Sequence, residues 1–365
     1  MPVGLPSPLP PRRVLLLALA LFAALAGVAA SALLPREARL PYADTQLAAA
    51  RRMERAMAAV LAHAEESGIP LTPEDLNETG LIGPEWTALS TSLGSVEAKR
   101  TALQPDFAAL MVRYYKEAGL MPGDAVACAF SGSFPGLALA AVAAADEMGL
   151  DARVIASYGA STFGATRPEL TVVDMLGLAR QAGVLQFELL AVSPGGDRDQ
   201  GGGNPLFPGE KELAARLSRE DGVPLLDEPG LGENIARRLS LYGPDVKCFV
   251  NAGGSSASLG LLAAGAAFPN GLVTSPPAVP GGEERGLLFE YAARGVPVVH
   301  LLNIRGLALR HGLPVDPVPL PAPGNSPVYS GRSGVPAAVP IALAVSLALL
   351  AAAGWDRRRK NNRRE

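Results

Sequence analysis

The sequence predicts an α/β protein with a doubly wound, mostly parallel sheet and a transmembrane helix near each end. Residues 124–164 read as strand, glycine-serine turn, helix and strand, a βαβ unit whose two strands must be parallel. Short apolar runs and helical segments keep alternating as far as residue 302, which indicates five or six strands in one domain. Two uncharged runs of 21 residues, 14–34 and 335–355, predict the membrane helices.

In the βαβ unit, an apolar run over 125–130 ends in Ser131-Gly132-Ser133, and an Ala/Leu-rich helix follows to Gly149. The spacing of apolar residues and the positions of turn residues predict the remaining strands and helices. The predicted strands are 125–130, 153–157, 186–192, 224–226, 246–251 and 297–302, and the predicted helices are 42–67, 105–118, 134–148, 169–183, 209–220, 231–241, one ending near 268, and 285–294.

Basic residues flank both uncharged runs on their terminal sides, with Arg12 and Arg13 before the first and a cluster at 357–364 after the second. The positive-inside rule therefore predicts a two-pass protein of the cell membrane, with both termini cytoplasmic and the central domain extracytoplasmic. A cleavable secretory signal is the alternative for the first run, and it exports the central domain equally.

These features divide the chain into seven predicted segments. They are a cytoplasmic N-terminus (1–13), a transmembrane helix or signal anchor (14–34), a helical and irregular lead-in (35–119), the extracytoplasmic α/β domain (120–311), a Pro/Gly-rich tether (312–334), a second transmembrane helix (335–355) and a basic cytoplasmic tail (356–365).

The charge of the central part of the chain argues against a nucleic-acid-binding protein, and its two cysteines argue against a disulfide. Residues 36–334 carry 24 basic and 33 acidic residues, a formal net charge of −9, which argues against nucleic-acid binding. Any acidic ligand must therefore be held by a local site. Cys128 and Cys248 each lie inside an apolar run, which favours two buried thiols over a disulfide.

Glycine- and serine-rich turns follow several predicted strands. Parallel sheets bind ligands beyond the carboxyl ends of their strands, so these turns predict a polar crevice, although such turns are also common for geometric reasons alone. The ligand-binding candidates are Ser131, Gly132, Ser133, Ser161, Gly195, Gly196, Arg198, Gly253, Gly254 and Ser255, together with Lys99 and Arg100.

The sequence has neither the glycine signature of dinucleotide sites nor that of P-loops, and the hydrolase elbow is incomplete, with Phe163 in place of its last glycine. A serine hydrolase would use Ser131 or Ser133 with His300, but a histidine inside an apolar strand is more often a core residue. Asp197 and Asp199 are weak candidates for a divalent cation, and no other cofactor is expected.

Several stretches resemble the poly-γ-glutamate system protein family, bacterial membrane proteins associated with synthesis and export of the poly-γ-glutamate capsule. The resemblance covers residues 75 to 321 and rests on short stretches in a fixed order. They are TGLIG (79–83), LGSVEAKRT (93–101), SGSFP (131–135), SYGASTFGA (157–165), GGDRD (195–199), NAGGS (251–255), RGLLFEYAARGVPVVHLL (285–302) and GLPVDPVPLP (312–321).

The resemblance implies a role in making, moving or anchoring the anionic polymer, and it assigns no catalytic residues. We expect an accessory protein that binds the polymer or scaffolds the other membrane subunits of the synthase and exporter. Lys99, Arg100 and Arg198 are the cations expected to offset the acidic surface. Two alternatives stay open. One is an extracytoplasmic hydrolase or transferase of γ-glutamyl or glycan bonds, and the other is a sensor module that binds a small ligand.

Overall fold

A computed structural model describes residues 11–33, 37–201, 207–261, 263–275, 278, 285–332 and 338–361. Most of the predicted cytoplasmic N-terminus and parts of the predicted tether and basic tail lie outside these residues. The chain divides into two compact units. We call Pro41–Tyr329 the central unit, and Met1–Leu40 with Ser330–Glu365 the terminal unit.

Ten strands are described. They are β1 Glu37–Arg39, β2 Ser90–Ser92, β3 Ala125–Ser131, β4 Asp151–Ser157, β5 Ala160–Ser161, β6 Glu188–Ser193, β7 Val246–Ala252, β8 Gly271–Val273, β9 Val298–Leu301 and β10 Ser330–Arg332.

Thirteen α-helices are described, together with short 3₁₀ turns at Asp197–Asp199 and Pro327–Tyr329. The helices are α1 Pro11–Leu33, α2 Ala43–Glu66, α3 Val96–Thr101, α4 Asp106–Glu117, α5 Pro135–Glu147, α6 Val172–Gln181, α7 Glu210–Asp221, α8 Leu231–Tyr242, α9 Ser256–Leu259, α10 Ala263–Ala266, α11 Leu287–Ala293, α12 Ile304–His311 and α13 Ala338–Asn361.

The main sheet has six strands in the order β6-β4-β3-β7-β9-β8, and every pair is parallel except β8 with β9. The predicted α/β class and mostly parallel sheet are therefore confirmed. The predicted strand at 224–226 is only a single bridge between Val192 and Leu225. The short antiparallel β8 was not predicted, because three residues give too little pattern.

The central βαβ unit forms because its residues suit burial on all sides. All seven residues of β3 are buried, as expected for a strand between two helical layers. Helix α5 begins at Pro135, where a missing N–H costs nothing, and its alanines let it pack closely against α2, α4 and α6. This unit fixes the carboxyl end of β3 at the centre of the sheet.

The opposite face of the sheet is covered by α8, α9 and α11. Ala127, Ala129 and Phe249 point to this side and join a core cluster in which Phe249 stacks on Tyr291 with ring centroids 4.7 Å apart. Successive strand residues point to opposite faces, so the sheet is sandwiched between two helical layers.

The stretch predicted as a tether is mostly part of the central unit. Residues 312–329 contain little regular structure, as their proline and glycine content predicts, but they pack against α3 and α4. Gln46 Nε2 donates to the Val328 carbonyl (3.0 Å), Gln104 Nε2 donates to the Pro314 carbonyl (2.8 Å), and Tyr329 bonds to Asp106. The lead-in residues from Pro41 onward belong to the same unit.

In the terminal unit, α1 and α13 pack together and β1 pairs antiparallel with β10. The stretch Pro11–Ala29 is long and apolar enough to cross a membrane, and a signal sequence would satisfy the same criterion. The predicted second span is not confirmed, because the apolar part of α13, Val339–Trp355, falls short of the length required.

Candidate functional site

A cavity of about 470 Å³ opens at the carboxyl ends of β3, β4 and β7 in the central unit. The chain leaves β3 for β4 on one side and returns to β7 on the other, so the cavity lies at a topological switch point. Ligands of open α/β sheets bind at this position, and the volume is in the range of small-molecule sites.

Lys99 is the most unusual residue of the cavity. It lies in α3, whose N-cap Ser95 accepts from the Ala98 N–H, and its side chain is only 3% exposed. Nζ donates to the Ser133 carbonyl (2.5 Å) and to Ser161 Oγ (2.6 Å), and it lies 4.0 Å from the centre of the Phe134 ring. Burial lowers the Lys99 pKa to about 7, because no described carboxylate forms an ion pair with the ammonium.

Three serines connect the strand ends to Lys99. The Ser131 hydroxyl donates to the Ala252 carbonyl (3.4 Å) and accepts from the Ser133 N–H (3.3 Å), which ties β3 to β7. The Ser133 hydroxyl accepts from the Ser161 N–H at 2.9 Å. Ser161 is thereby held with its own hydroxyl against Lys99 at the cavity wall.

Two glycines make the close approaches possible. Gly253 has φ +117°, and a Cβ there would overlap the Ser131 hydroxyl, so this turn has no room for a side chain. A Cβ on Gly94 would lie 2.7 Å from Ser161 Oγ. The Gly94 N–H also donates to Thr162 Oγ1 at 2.8 Å, which fixes the loop over Ser161.

Most of the predicted turn residues meet at this cavity. The predicted ligand-binding residues that line it are Lys99, Ser131, Ser133, Ser161, Gly196, Gly254 and Ser255. Gly132, Gly195 and Gly253 are not among its lining residues. These glycines allow close backbone packing instead. The Gly132 N–H donates to the Ser157 and Gly159 carbonyls, and Gly195 packs against Gly159.

The structure separates the three predicted cations. Arg100 forms a bidentate ion pair with Asp316 (Nε–Oδ1 2.6 Å, Nη2–Oδ2 2.5 Å), and hydrogen bonding to that carboxylate raises the Arg100 pKa. Arg198 is exposed on the 3₁₀ turn after β6 and does not line the cavity. Lys99 alone of the three reaches the cavity wall.

The two aspartates predicted as cation ligands point apart. Asp197 is exposed and lines the cavity, whereas Asp199 is fully buried and pairs with Arg238 at 2.7 Å. The other Asp199 oxygen accepts from the Ser193 hydroxyl at 2.8 Å. Across the described part of the chain, no group of three His, Cys, Asp or Glu side chains is arranged to hold a metal ion.

His300 is fully buried in β9 and is not among the residues that line the cavity. Asn251 Nδ2 donates to His300 Nδ1 at 2.9 Å, which places the ring proton on Nε2. That Nε2 has no hydrogen-bond partner among the described residues. Burial lowers the His300 pKa to about 4, so the ring is neutral at pH 7. The structure does not bring it to Ser131 or Ser133.

Sequence reasoning did not identify the segment 91–98, which forms one wall of the cavity. Strand β2 pairs in parallel with the two-residue β5, and this pairing brings Ser92 opposite Ser161. The only signal in the sequence was the small polar composition of TSLGS at 91–95, which is equally typical of a surface loop.

No known protein family, curated protein or solved structure that we compared matches this chain.

The chemistry of the cavity follows from its residues. Hydroxyls and backbone groups can donate to and accept from a ligand, and the ammonium of Lys99 adds one positive charge. The N-terminus of the 13-residue α5 opens at the same place, since its N-cap Phe134 lines the cavity. A helix N-terminus and a buried cation both favour a bound anion such as a carboxylate.

Proposed function

We propose that the protein is a membrane-attached accessory protein of poly-γ-glutamate synthesis or export, and that the cavity binds the γ-glutamyl chain. The observation that carries this proposal is Lys99, a buried cation at the cavity wall with no ion-pair partner among the described residues. Burying such a charge is costly, and a ligand carboxylate would supply the missing counter-charge.

The acidic surface is compatible with this role because the site is local. Residues 36–334 carry a net charge of −9, so a polyanion is repelled by the surface as a whole. Asp197 at the cavity edge adds to the repulsion, while Lys99 and the α5 N-terminus attract a carboxylate within it. We expect weak binding that involves one or two glutamate residues of the γ-amide-linked polymer rather than a long segment of it.

Membrane attachment is supported by the terminal unit. Large apolar side chains are exposed along both of its helices, including Leu21 and Phe22 on α1 and Leu343 and Leu347 on α13. The two helices contact each other through small residues: Ser346 Oγ donates to the Ala20 carbonyl at 3.0 Å, and Gly27 lies against Ala342. Close packing of small residues is typical of membrane helices, which favours a two-pass hairpin with the central unit outside the cytoplasm.

Titration of the full chain in detergent micelles with γ-glutamyl oligomers tests the binding. We expect a heat of binding that Lys99→Met abolishes and that the matched exposed-lysine variant Lys116→Met leaves unchanged. The titration is run with and without Ca²⁺, and α-linked glutamate oligomers serve as the specificity control. If wild-type protein gives no heat with γ-glutamyl oligomers in either condition, direct binding is refuted and a scaffolding role for the synthase subunits is favoured.

Topology is tested with single engineered cysteines in whole cells. The native Cys128 and Cys248 are fully buried and should not react with a membrane-impermeant maleimide. A cysteine at Ser240 on α8 is expected to be labelled from outside, and one at Asn361 only after lysis. Labelling of the Asn361 variant in intact cells would contradict the two-pass arrangement.

A further inference from the structure

We propose that Ser161 is a nucleophile and Lys99 its general base, so that the cavity transfers the acyl group of γ-glutamyl amides. The geometry is a hydroxyl and an amine 2.6 Å apart at the wall of a cavity that is open to a ligand. A nucleophilic serine within hydrogen-bond reach of a base is the arrangement that covalent catalysis requires, and Ser–Lys pairs perform this chemistry on several folds.

Other contacts hold this pair in place and distinguish Ser161 from the neighbouring serines. Ser133 positions both partners, since its carbonyl accepts from Lys99 and its hydroxyl accepts from the Ser161 N–H. The Ser131 hydroxyl instead donates to the Ala252 carbonyl and makes no contact with the amine. Ser161 is therefore the serine whose proton has a base to accept it.

The amine needs to be neutral to act as a base, and its burial without a counter-charge favours that state. Lys99 is surrounded by a carbonyl, a hydroxyl and an aromatic ring, with no ion-pair partner among the described residues. Burial lowers its pKa to about 7, so the unprotonated amine is populated at neutral pH. A base with a pKa near the working pH is the most effective one.

The reaction balances without a cofactor. Ser161 Oγ forms a bond to the amide carbonyl carbon while its proton passes to Lys99 Nζ. The tetrahedral adduct then loses the amine: the C–N bond breaks, and the leaving nitrogen takes the proton from Nζ. The acyl ester is cleaved in the same way by water or by a second amine, which returns the proton to Ser161. The positive end of α5 stabilises the oxyanion in both steps.

The choice of γ-glutamyl amides as substrate rests on the proposed function, whereas the Ser161–Lys99 pair does not. Hydrolysis would shorten or release the polymer, and transfer to an amine would attach it to an acceptor. Both outcomes act on the chain during its export, after another enzyme has formed its amide bonds.

The test uses the full chain in detergent micelles and an activated acyl donor, the γ-(4-nitrophenyl) ester of N-acetylglutamate. We expect nitrophenolate release and an acyl adduct that peptide mass mapping places on Ser161. Ser161→Ala and Lys99→Arg are each expected to slow release at least about 100-fold. Lys99→Arg keeps the positive charge, so it distinguishes a role of Lys99 as a base from a role as a cation.

Ser240→Ala and Lys116→Met, both on exposed helix positions, are the matched controls. The wild-type rate should rise with pH through about 7.

The same measurements are made with a second ester, 4-nitrophenyl acetate. Three results would overturn the Ser161–Lys99 pair: no adduct with either ester, an adduct on another residue, or equal rates for wild type and Lys99→Arg. A parallel titration of Ser161→Ala with γ-glutamyl oligomers separates the two claims and shows that this variant is folded. Acylation of Ser161 by 4-nitrophenyl acetate without any oligomer binding would support the Ser161–Lys99 pair and refute the γ-glutamyl chain as the ligand of the cavity. Oligomer binding without acylation by either ester would refute the pair and leave the proposed function in place.

Discussion

Two buried cations lie near the same edge of the sheet, and they have opposite surroundings. Arg238 on α8 is 3% exposed. Its Nη2 pairs with the fully buried Asp199 and also donates to the Ser193 hydroxyl, while its Nε donates to Asn234 Oδ1. Lys99 is equally buried, yet its nitrogen meets only a carbonyl, a hydroxyl and an aromatic ring.

The difference distinguishes a charge that stabilises the fold from an amine that is available to a ligand. An ion pair whose two charges neutralise each other holds the turn after β6 and leaves no unpaired charge for a ligand. A buried amine without a counter-charge destabilises its own protonated form, and it can therefore exchange a proton or bind a carboxylate at neutral pH. The same edge of the sheet thus has a turn held by an ion pair and a cavity with an unpaired amine at its wall.

Removing each cation should have opposite effects on stability. Arg238→Met leaves the Asp199 carboxylate buried without its partner, and we expect a loss of about 3–5 kcal/mol. Lys99→Met removes an uncompensated charge, so at pH 7 the variant should be as stable as wild type or more stable. Guanidinium unfolding of the full chain in micelles measures both. Equal losses for the two variants would show that Lys99 is also a structural charge.

The pH dependence of stability sharpens the comparison. The Lys99 pKa is about 7 when folded and has an ordinary value of 10.5, so the unfolded chain binds more protons between these values. Wild type should therefore gain about 2 kcal/mol relative to Lys99→Met between pH 7 and 9. Unfolding curves at four pH values measure the gap, and a gap that is constant with pH would contradict an uncompensated amine.

His300 should make stability depend on pH on the acidic side of neutrality. Its pKa is about 4 in the folded chain and ordinarily 6.5, so the unfolded chain binds more protons as the pH falls through this window. Wild type should lose about 2 kcal/mol between pH 7.5 and 5 relative to His300→Gln. Thermal unfolding at both pH values checks this. The same variant should keep full ester turnover, since His300 does not line the cavity.

Two adjacent glycines test the geometry of the cavity edge with a smaller effect. Gly253→Ala places a methyl group on the Ser131 hydroxyl at a positive φ, and we expect a loss of about 1–2 kcal/mol and weaker ligand binding. Gly254→Ala is the matched control for stability, because the nearest atom, Leu302 Cδ1, would be 3.5 Å from its Cβ. It is not a control for ligand binding, since Gly254 lines the cavity. Indistinguishable melting temperatures would show that the Gly253 turn adapts freely.

Local pattern predicted the strands and helices of the main sheet because continuous burial leaves a continuous apolar run, as in β3. It also predicted that the turns of Ser131, Ser133, Gly254 and Ser255 would meet, because the carboxyl ends of parallel strands share one edge.

Pairing between distant charges could not be predicted in this way. Nothing in the sequence near Arg100 or Asp199 indicates Asp316 or Arg238 as partners, because those contacts depend on how remote segments pack. For the same reason no local pattern indicates that Ser92 lies opposite Ser161 or that residues 312–329 belong to the central unit. The chemical meaning of Lys99 depends on these long-range contacts.

The most direct test of this account is the ionisation of Lys99 itself. The chain has five lysines, so biosynthetic labelling with ¹³Cε-lysine gives few enough signals to follow by NMR in micelles. The resonance that Lys99→Arg removes should titrate with a pKa near 7 in the ligand-free protein. A Lys99 that titrates near 10.5, as a solvated or ion-paired lysine does, would contradict the account.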